Sequence, residues 1–545
     1  MALNPITTTT TTEMYSSPVS AELLLHEFAT FKALILIFQF IISTILHQRV
    51  KHLFIVILVF AILGFLYIYL KLSADQNEPK EAFILGRKYP TDEVDIVEGK
   101  ENSQIPEMRE TRKPTKNPHE LKRVVEYCNP SHLPVTGSEG QSPAEFKLVQ
   151  VHVFIRHGER APMHTIKGYK PPPIRCMFDH TLAGNNKKFH EFLPTMYKYY
   201  GTQTKAKRFQ NWSLFPERPL CDGGSLLTGV GALQHLKNGY FLSQKYMNQS
   251  TLFDQNKSII TQVYVRTTEY SRTYQSMIAF MYGFLPEFDL TLLNFEPSDN
   301  LRFCSAQKAK IAVCTCKAKD RLKSKDNFSR LFHTNNTEYG NIEAELAEIF
   351  KVKPSQLPKI GVILDVLMTH LCHRHPLYCN DENKCLSVPL IDALWKLQNA
   401  ETTAKARYDE NYRKTCRLEM HPVLLEIAHR FSDVKQGKKT SKFVLYSGHD
   451  YTLTPLLHSL SIFDGKWPGF ASRVVIELYS YLQYPNTKKN FYLKFFYNGK
   501  DLTKEVIFCR GKTFQGMCKL KFYLDFIFEE SLQEFGYNSY EEACK

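Results

Sequence analysis

Val151-His-Val-Phe-Ile-Arg-His-Gly-Glu-Arg-Ala161, followed by Pro162, runs an apolar strand straight into an Arg-His-Gly-x-Arg turn. Val151, Val153 and Ile155 carry strand propensity, and Gly158 lets the backbone approach a ligand closely. Arg156 and Arg160 flank the turn with planar guanidinium forks that match phosphate oxygens. The grouping reads as a histidine nucleophile, His157, in an anion pocket; a solvated basic corner is the competing reading, and a second element has to separate them.

That element lies almost 300 residues on. Lys442 to Ser447 is another β-rich run, and it delivers Gly448, His449 and Asp450 at its carboxyl end. Open α/β sheets bind ligands beyond the carboxyl ends of their strands, so the two turns can meet in one crevice.

Arg-His-Gly-x-Arg-x-Pro early and His-Asp late resemble the histidine acid phosphatases, over roughly Leu121 to Cys544. Longer strings resemble the 2-phosphoxylose phosphatase branch: Leu220 through Gly239, Arg272 through Asp289, and Tyr446 through Tyr479 with Gly469-Phe470-Ala471. The resemblance implies His157 as nucleophile, Arg156 and Arg160 as ligands of the nonbridging oxygens, His449 as a further phosphate hydrogen bond and Asp450 as general acid. No cofactor or metal belongs to that chemistry. Tyr264 to Thr273 is similar to the family string Arg-Ser-Thr-Asp-x-Asp-Arg-Thr, which makes Arg266 a third phosphate ligand and Arg272 its neighbour. Glu269 and Ser271 replace the two aspartates, so a structural ion pair at Arg266 is the alternative.

Periodicity sorts the remainder into a split α/β core with an inserted, mainly helical cap at about 286–430, and the resemblance implies the same two-part architecture, a histidine phosphatase-like open sheet. The core elements are strands at Lys147–Ile155, Ile259–Val265, Phe443 onward and Arg473–Tyr479, helices at Thr228–Met247 and Thr452–Leu460, and a hairpin turning at Asn498-Gly499. Glu343–Phe350, Ile363–His370 and Val388–Tyr412 are the clearest cap helices. His235, His421 and His458 fall in helical patterns and receive no catalytic role.

The amino-terminal region reads as a tether. Leu53 to Leu70 is an uncharged run of 18 residues preceded by Arg49 and Lys51, the pattern of a type II signal anchor. This makes 1–52 a cytoplasmic tail, 53–70 the anchor, 71–121 a flexible stem rich in Lys, Glu, Pro and Thr, and 122–545 a lumenal catalytic domain. The shorter apolar stretch Ala33–Leu46 reads as an interfacial segment, with a second span as the alternative. The Thr7–Thr12 tract carries no function. Placement in the Golgi membrane follows by analogy with glycan-modifying enzymes.

All 13 cysteines, Cys128 to Cys544, lie beyond this anchor, which predicts disulfides and at least one unpaired thiol. Cys372-His373-x-His375, Cys379 and Cys385 match no standard zinc spacing. Sequons at Asn211, Asn248, Asn256, Asn327 and Asn335 agree with a lumenal domain. The net charge of +14 suggests an anionic partner, but the basic residues are dispersed and no nucleic-acid motif is present. The branch resemblance implies phosphorylated xylose of proteoglycan linkage glycans as substrate, with linkage-region glycosyltransferases as partners. A broader acid or inositol-polyphosphate phosphatase, a catalytically weak glycan-binding protein and a mutase-like transferase are the other readings.

Overall fold

The structure, a computed structural model, describes residues 117, 119, 121–179, 181, 184–202, 206–222, 224–247, 252–324, 328–334, 336–481 and 490–545. The anchor at 53–70, the apolar stretch at 33–46, the Thr tract and nearly all of the stem lie outside them. Among the described residues no helix is long and apolar enough to cross a membrane.

The elements that position the site are, in chain order, helix α1 (Lys122–Cys128), strand β1 (Phe146–Arg156), α2 (Gly229–Tyr246), β2 (Val263–Thr268), α3 (Ser271–Phe284) and β3 (Phe295–Ser298). The cap follows with α4 (Thr337–Phe350), α5 (Ile360–Cys372) and α6 (Val388–Tyr408), and α7 (Glu410–Lys435) leads back to the core. The core is completed by β4 (Phe443–Gly448), α8 (Asp450–Ser459), β5 (Arg473–Tyr481), β6 (Phe491–Tyr497), β7 (Lys500–Asp501), β8 (Thr513–Phe514) and β9 (Met517–Lys519).

The sheet runs β3-β2-β4-β1-β5-β6-β9-β8, with β7 paired to β6. Strands β3, β2, β4 and β1 are parallel; β5 and those beyond it are antiparallel. Alternation along β1 sets the layers. Val151, Val153 and Ile155 pack with α2 and α3, while Phe154 on the other face joins α7, α8 and the Tyr523–Ile527 segment. The hairpin turn uses Asn498 and Gly499 at φ 46° and 83°, the left-handed pair that matches strand twist.

Three of the boundaries that differ from the sequence reading have a local cause. Ile259–Gln262 is a 3-10 turn and the strand begins at Val263, because the side-chain amide of Gln262 closes the preceding loop onto Asp254 and Lys257. Phe295–Ser298, placed in the cap from sequence, is the edge strand of the core sheet; Pro297 is tolerated there because an edge lacks a neighbour on one side. The helix expected to run to Tyr412 breaks at Asp409, whose carboxylate caps the next helix by accepting from Tyr412 N.

Six disulfides form: Cys128–Cys372, Cys176–Cys221, Cys304–Cys314, Cys316–Cys544, Cys379–Cys385 and Cys509–Cys518. Cys416 is the free thiol, and it is buried. The cysteines beside His373 and His375 are thus covalently paired, Cys372 tying the cap helix α5 to α1, which packs against the cap helices.

Candidate active site

Parallel pairing of β1 with β4 puts Arg156 opposite Gly448, and His157 N donates to Gly448 O at 2.9 Å. The two turns found in the sequence therefore sit side by side at the carboxyl edge of the sheet. The close approach that Gly158 permits is to protein: a Cβ there would lie 2.2 Å from Gly231 O, and one at Gly231 would lie 2.2 Å from Glu159 O. Helix α2 is thereby pressed against the turn. His235 on α2 holds the same turn, its Nε2 lying 3.0 Å from Arg156 O.

The His157 ring is buried, and its Nδ1 lies 2.9 Å from Gly158 O. A carbonyl only accepts, so Nδ1 carries the proton and Nε2 presents its lone pair. Burial first, then Arg272, Arg156, Arg160 and His449, hold its pKa well below the ordinary imidazole value. The ring is neutral, and Nε2 is its basic atom.

Three guanidinium groups surround it. Arg156 donates to Pro468 O at 2.5 Å and to the Tyr127 hydroxyl at 3.3 Å, and stands 4.5 Å above the Phe470 ring. Arg160 is gripped from the cap by Asp365, through Nη2 to Oδ1 at 2.7 Å and Nη1 to Oδ2 at 3.2 Å. Arg272 donates to Ser225 Oγ at 3.1 Å and packs over Tyr270. Burial, then the neighbouring Arg160, pull the Arg272 pKa down to about 10, so it stays cationic at neutral pH. The Nε atoms of all three are buried without a hydrogen-bond partner among the described residues. Such a concentration of unsatisfied donors suits an anion with several oxygens.

Arg272 occupies the place expected for Arg266. The Arg266 side chain instead lies against carboxylates, Nη1 at 2.9 Å from Glu426 and Nε at 3.2 Å from Glu296, with a further bond to Phe303 O at 2.8 Å. Its charge is balanced within the protein, which corrects its reading as a phosphate ligand in favour of the ion pair. His449 also differs. Its Nδ1 faces Arg272 Nη2 at 3.3 Å and its Nε2 faces Thr268 Oγ1 at 2.9 Å. Arginine only donates, so Nδ1 accepts and Nε2 bears the proton. Both nitrogens are engaged, and His449 orients Arg272 where a direct phosphate donor was expected. Burial, then Arg272, hold its pKa at about 3.

Asp450 opens helix α8. Its Oδ2 accepts from Trp467 Nε1 at 2.6 Å and lies 3.5 Å from Arg156 Nη2; its Oδ1 accepts from Tyr451 N at 2.9 Å. Burial favours its neutral form, but Arg156, Arg160 and the Trp467 bond outweigh this and lower the pKa. The residue between the motif's Gly158 and Arg160, Glu159, meets His373 of the cap at 3.2 Å and Thr228 at 3.3 Å. Sequence reading did not single out Asp365, Trp467 or Tyr127, and it met His373 only in a Cys/His cluster set aside as a zinc site. Only Trp467 had a nearby signal, since it falls within the Tyr446–Tyr479 string.

The histidine phosphatase superfamily (branch 2) profile matches residues 147–359 and 375–498. The chain belongs to that superfamily and is a hydrolase of phosphomonoesters. It is 32% identical over 428 residues to "2-phosphoxylose phosphatase 1" of Homo sapiens, covering 77% of this chain and 85% of that protein. The Xenopus tropicalis protein of the same name is 30% identical over 439 residues, covering 80% and 84%. Lysophosphatidic acid phosphatase type 6 of Homo sapiens is 23% identical over 412 residues, covering 71% and 85%. Among solved structures, apo Hafnia alvei phytase aligns with a TM-score of 0.42 at 15% identity, covering 71% of this chain and 97% of that one.

Proposed function

We propose that this protein removes the phosphate from 2-phosphoxylose in the glycosaminoglycan–protein linkage region, through a phosphohistidine at His157. The observation that carries the chemistry is a neutral imidazole of fixed tautomer beneath Arg156, Arg160 and Arg272, with Asp450 adjoining Arg156. The substrate is supported by the relatives named 2-phosphoxylose phosphatase 1, which align over most of the chain.

His157 Nε2 attacks phosphorus as the P–O bond to the sugar breaks, and the leaving oxygen takes a proton from Asp450. The arginines hold the nonbridging oxygens as charge shifts onto the leaving group. Asp450 is anionic in the free pocket and takes up one proton from solvent as substrate binds, once the bound phosphate offsets the pull of Arg156 and Arg160. Water then attacks phosphorus, giving its proton to Asp450; the N–P bond breaks, and phosphate and neutral imidazole are regenerated. Throughout, Nδ1–H stays on Gly158 O.

In this reading the protein is a single-pass type II Golgi membrane enzyme. The Leu53–Leu70 run behind Arg49 and Lys51 supports the anchor, and six disulfides suit an oxidising lumen. Its partners there are the glycosyltransferases that extend the dephosphorylated linkage. Cells lacking the protein are expected to accumulate phosphorylated linkage stubs and make fewer extended glycosaminoglycan chains; unchanged linkage phosphorylation contradicts the proposal.

A further inference from the structure

Large apolar side chains left in water are most informative when they gather around a polar site. Tyr270 is 42% exposed and Tyr451 59% exposed, and both sit at the catalytic edge of the sheet. Tyr270 follows β2; its ring stands 4.9 Å from that of His449, and Arg272 lies 4.5 Å from its centre. Tyr451 follows Asp450 directly and donates its backbone N–H to that carboxylate. The half-buried Trp467 closes the group, with its indole N–H on Asp450 Oδ2.

Trp467 is also braced. Tyr127 packs edge-on to it at 5.9 Å and Trp395 of the cap at 6.5 Å, while the hydrogen bond to Asp450 fixes its rotation. An aromatic ring held this way loses little freedom when a ligand lies on it. The three residues share one feature: each contacts a member of the pocket, His449 and Arg272 for Tyr270, Asp450 for the other two.

We infer that Tyr270, Tyr451 and Trp467 form an aromatic shelf that stacks on the neutral sugar ring adjoining the phosphorylated one. This rests on the proposed function and names the part of the glycan the site reads beyond the phosphate. A pyranose presents an apolar C–H face and a hydroxylated rim, the complement of an aromatic face bordered by hydrogen-bonding groups. The shelf begins at Asp450, the group placed to protonate the leaving oxygen, so its occupant is the sugar side of the ester. Trp467 additionally acts as a positioning residue for Asp450.

The test uses the full-length chain with methyl xyloside 2-phosphate, the same compound carrying the neighbouring galactose, and phenyl phosphate. In the wild type the galactose is expected to raise kcat/KM by about tenfold, a gain reduced to about threefold or less in Tyr451→Ala and Tyr270→Ala. The unphosphorylated galactosyl-xyloside is expected to quench tryptophan emission in the wild type and not in Trp467→Phe. A galactose gain of the same size in wild type and both tyrosine variants overturns the shelf, as does the absence of any quench. Failure of the wild type to cleave either xyloside while it cleaves phenyl phosphate overturns the xylose substrate instead, and the quench still reads the shelf.

Discussion

Asp450 and Arg272 separate chemistry from binding at the level of single side chains. Asp450→Asn cannot protonate a leaving group, so esters of sugar alkoxides are expected to slow by about 10²–10⁴-fold and activated aryl esters far less. Steady-state kinetics on a leaving-group series checks this; equal losses on both would reassign Asp450 to positioning. Arg272→Ala is expected to weaken inorganic phosphate inhibition and lower kcat/KM with little loss of stability, since among the described residues no carboxylate forms an ion pair with it and Asp450 acts on it only at longer range. Arg266→Ala is expected to do the reverse. It leaves Glu426 buried beside Arg430 alone, a loss of about 3 kcal/mol on denaturant unfolding. A stable Arg266→Ala protein with phosphate affinity lost would return Arg266 to the pocket.

At the scale of elements, what local chemistry dictates was legible and what packing dictates was not. Strands β1 and β4 announce themselves through β-branched and aromatic runs ending in special turns, and His157, Arg156, Arg160, His449 and Asp450 come with them. Asp365 on α5 and His373 just past its end arrive from some 200 residues away in the chain, and only the packing of the cap reveals that they grip the Arg160 turn. The exchange of Arg266 for Arg272 has the same origin. Arg266 lies within β2 and pairs across to α7, whereas Arg272 is the second residue of α3 and reaches Ser225 and His449 at the sheet edge. Strand β5 carries a different consequence. Glu477 is wholly buried and accepts from Tyr246, Tyr479 and Gly140 N, and burial lifts its pKa to about 7. A raised carboxyl pKa stabilises the fold fully below the unfolded value near 4.5, and that contribution is lost as pH rises through about 7. The loss is about 3 kcal/mol. The thermal stability of the wild type is expected to fall between pH 5 and 8, and Glu477→Gln to flatten that slope; identical slopes would remove Glu477 as its source.

At the scale of the described domain, one sheet and a helical cap divide the work: the sheet edge presents the arginine pocket, and the cap grips Arg160 through Asp365. Asn211 and Asn256 are exposed on the described domain. In sealed microsomes both are expected to be glycosylated and the domain protected from added protease; digestion without detergent would reverse the orientation. The most direct test of the central claim is kcat/KM of the full-length chain on a phosphorylated galactosyl-xylosyl acceptor, set against inositol hexakisphosphate and aryl phosphates corrected for leaving-group reactivity. The glycan is expected to be preferred by a wide margin, with acid-labile phosphate trapped on His157 during turnover. A preference for the inositol phosphate would contradict the substrate, and turnover without phosphate on His157 would contradict the mechanism.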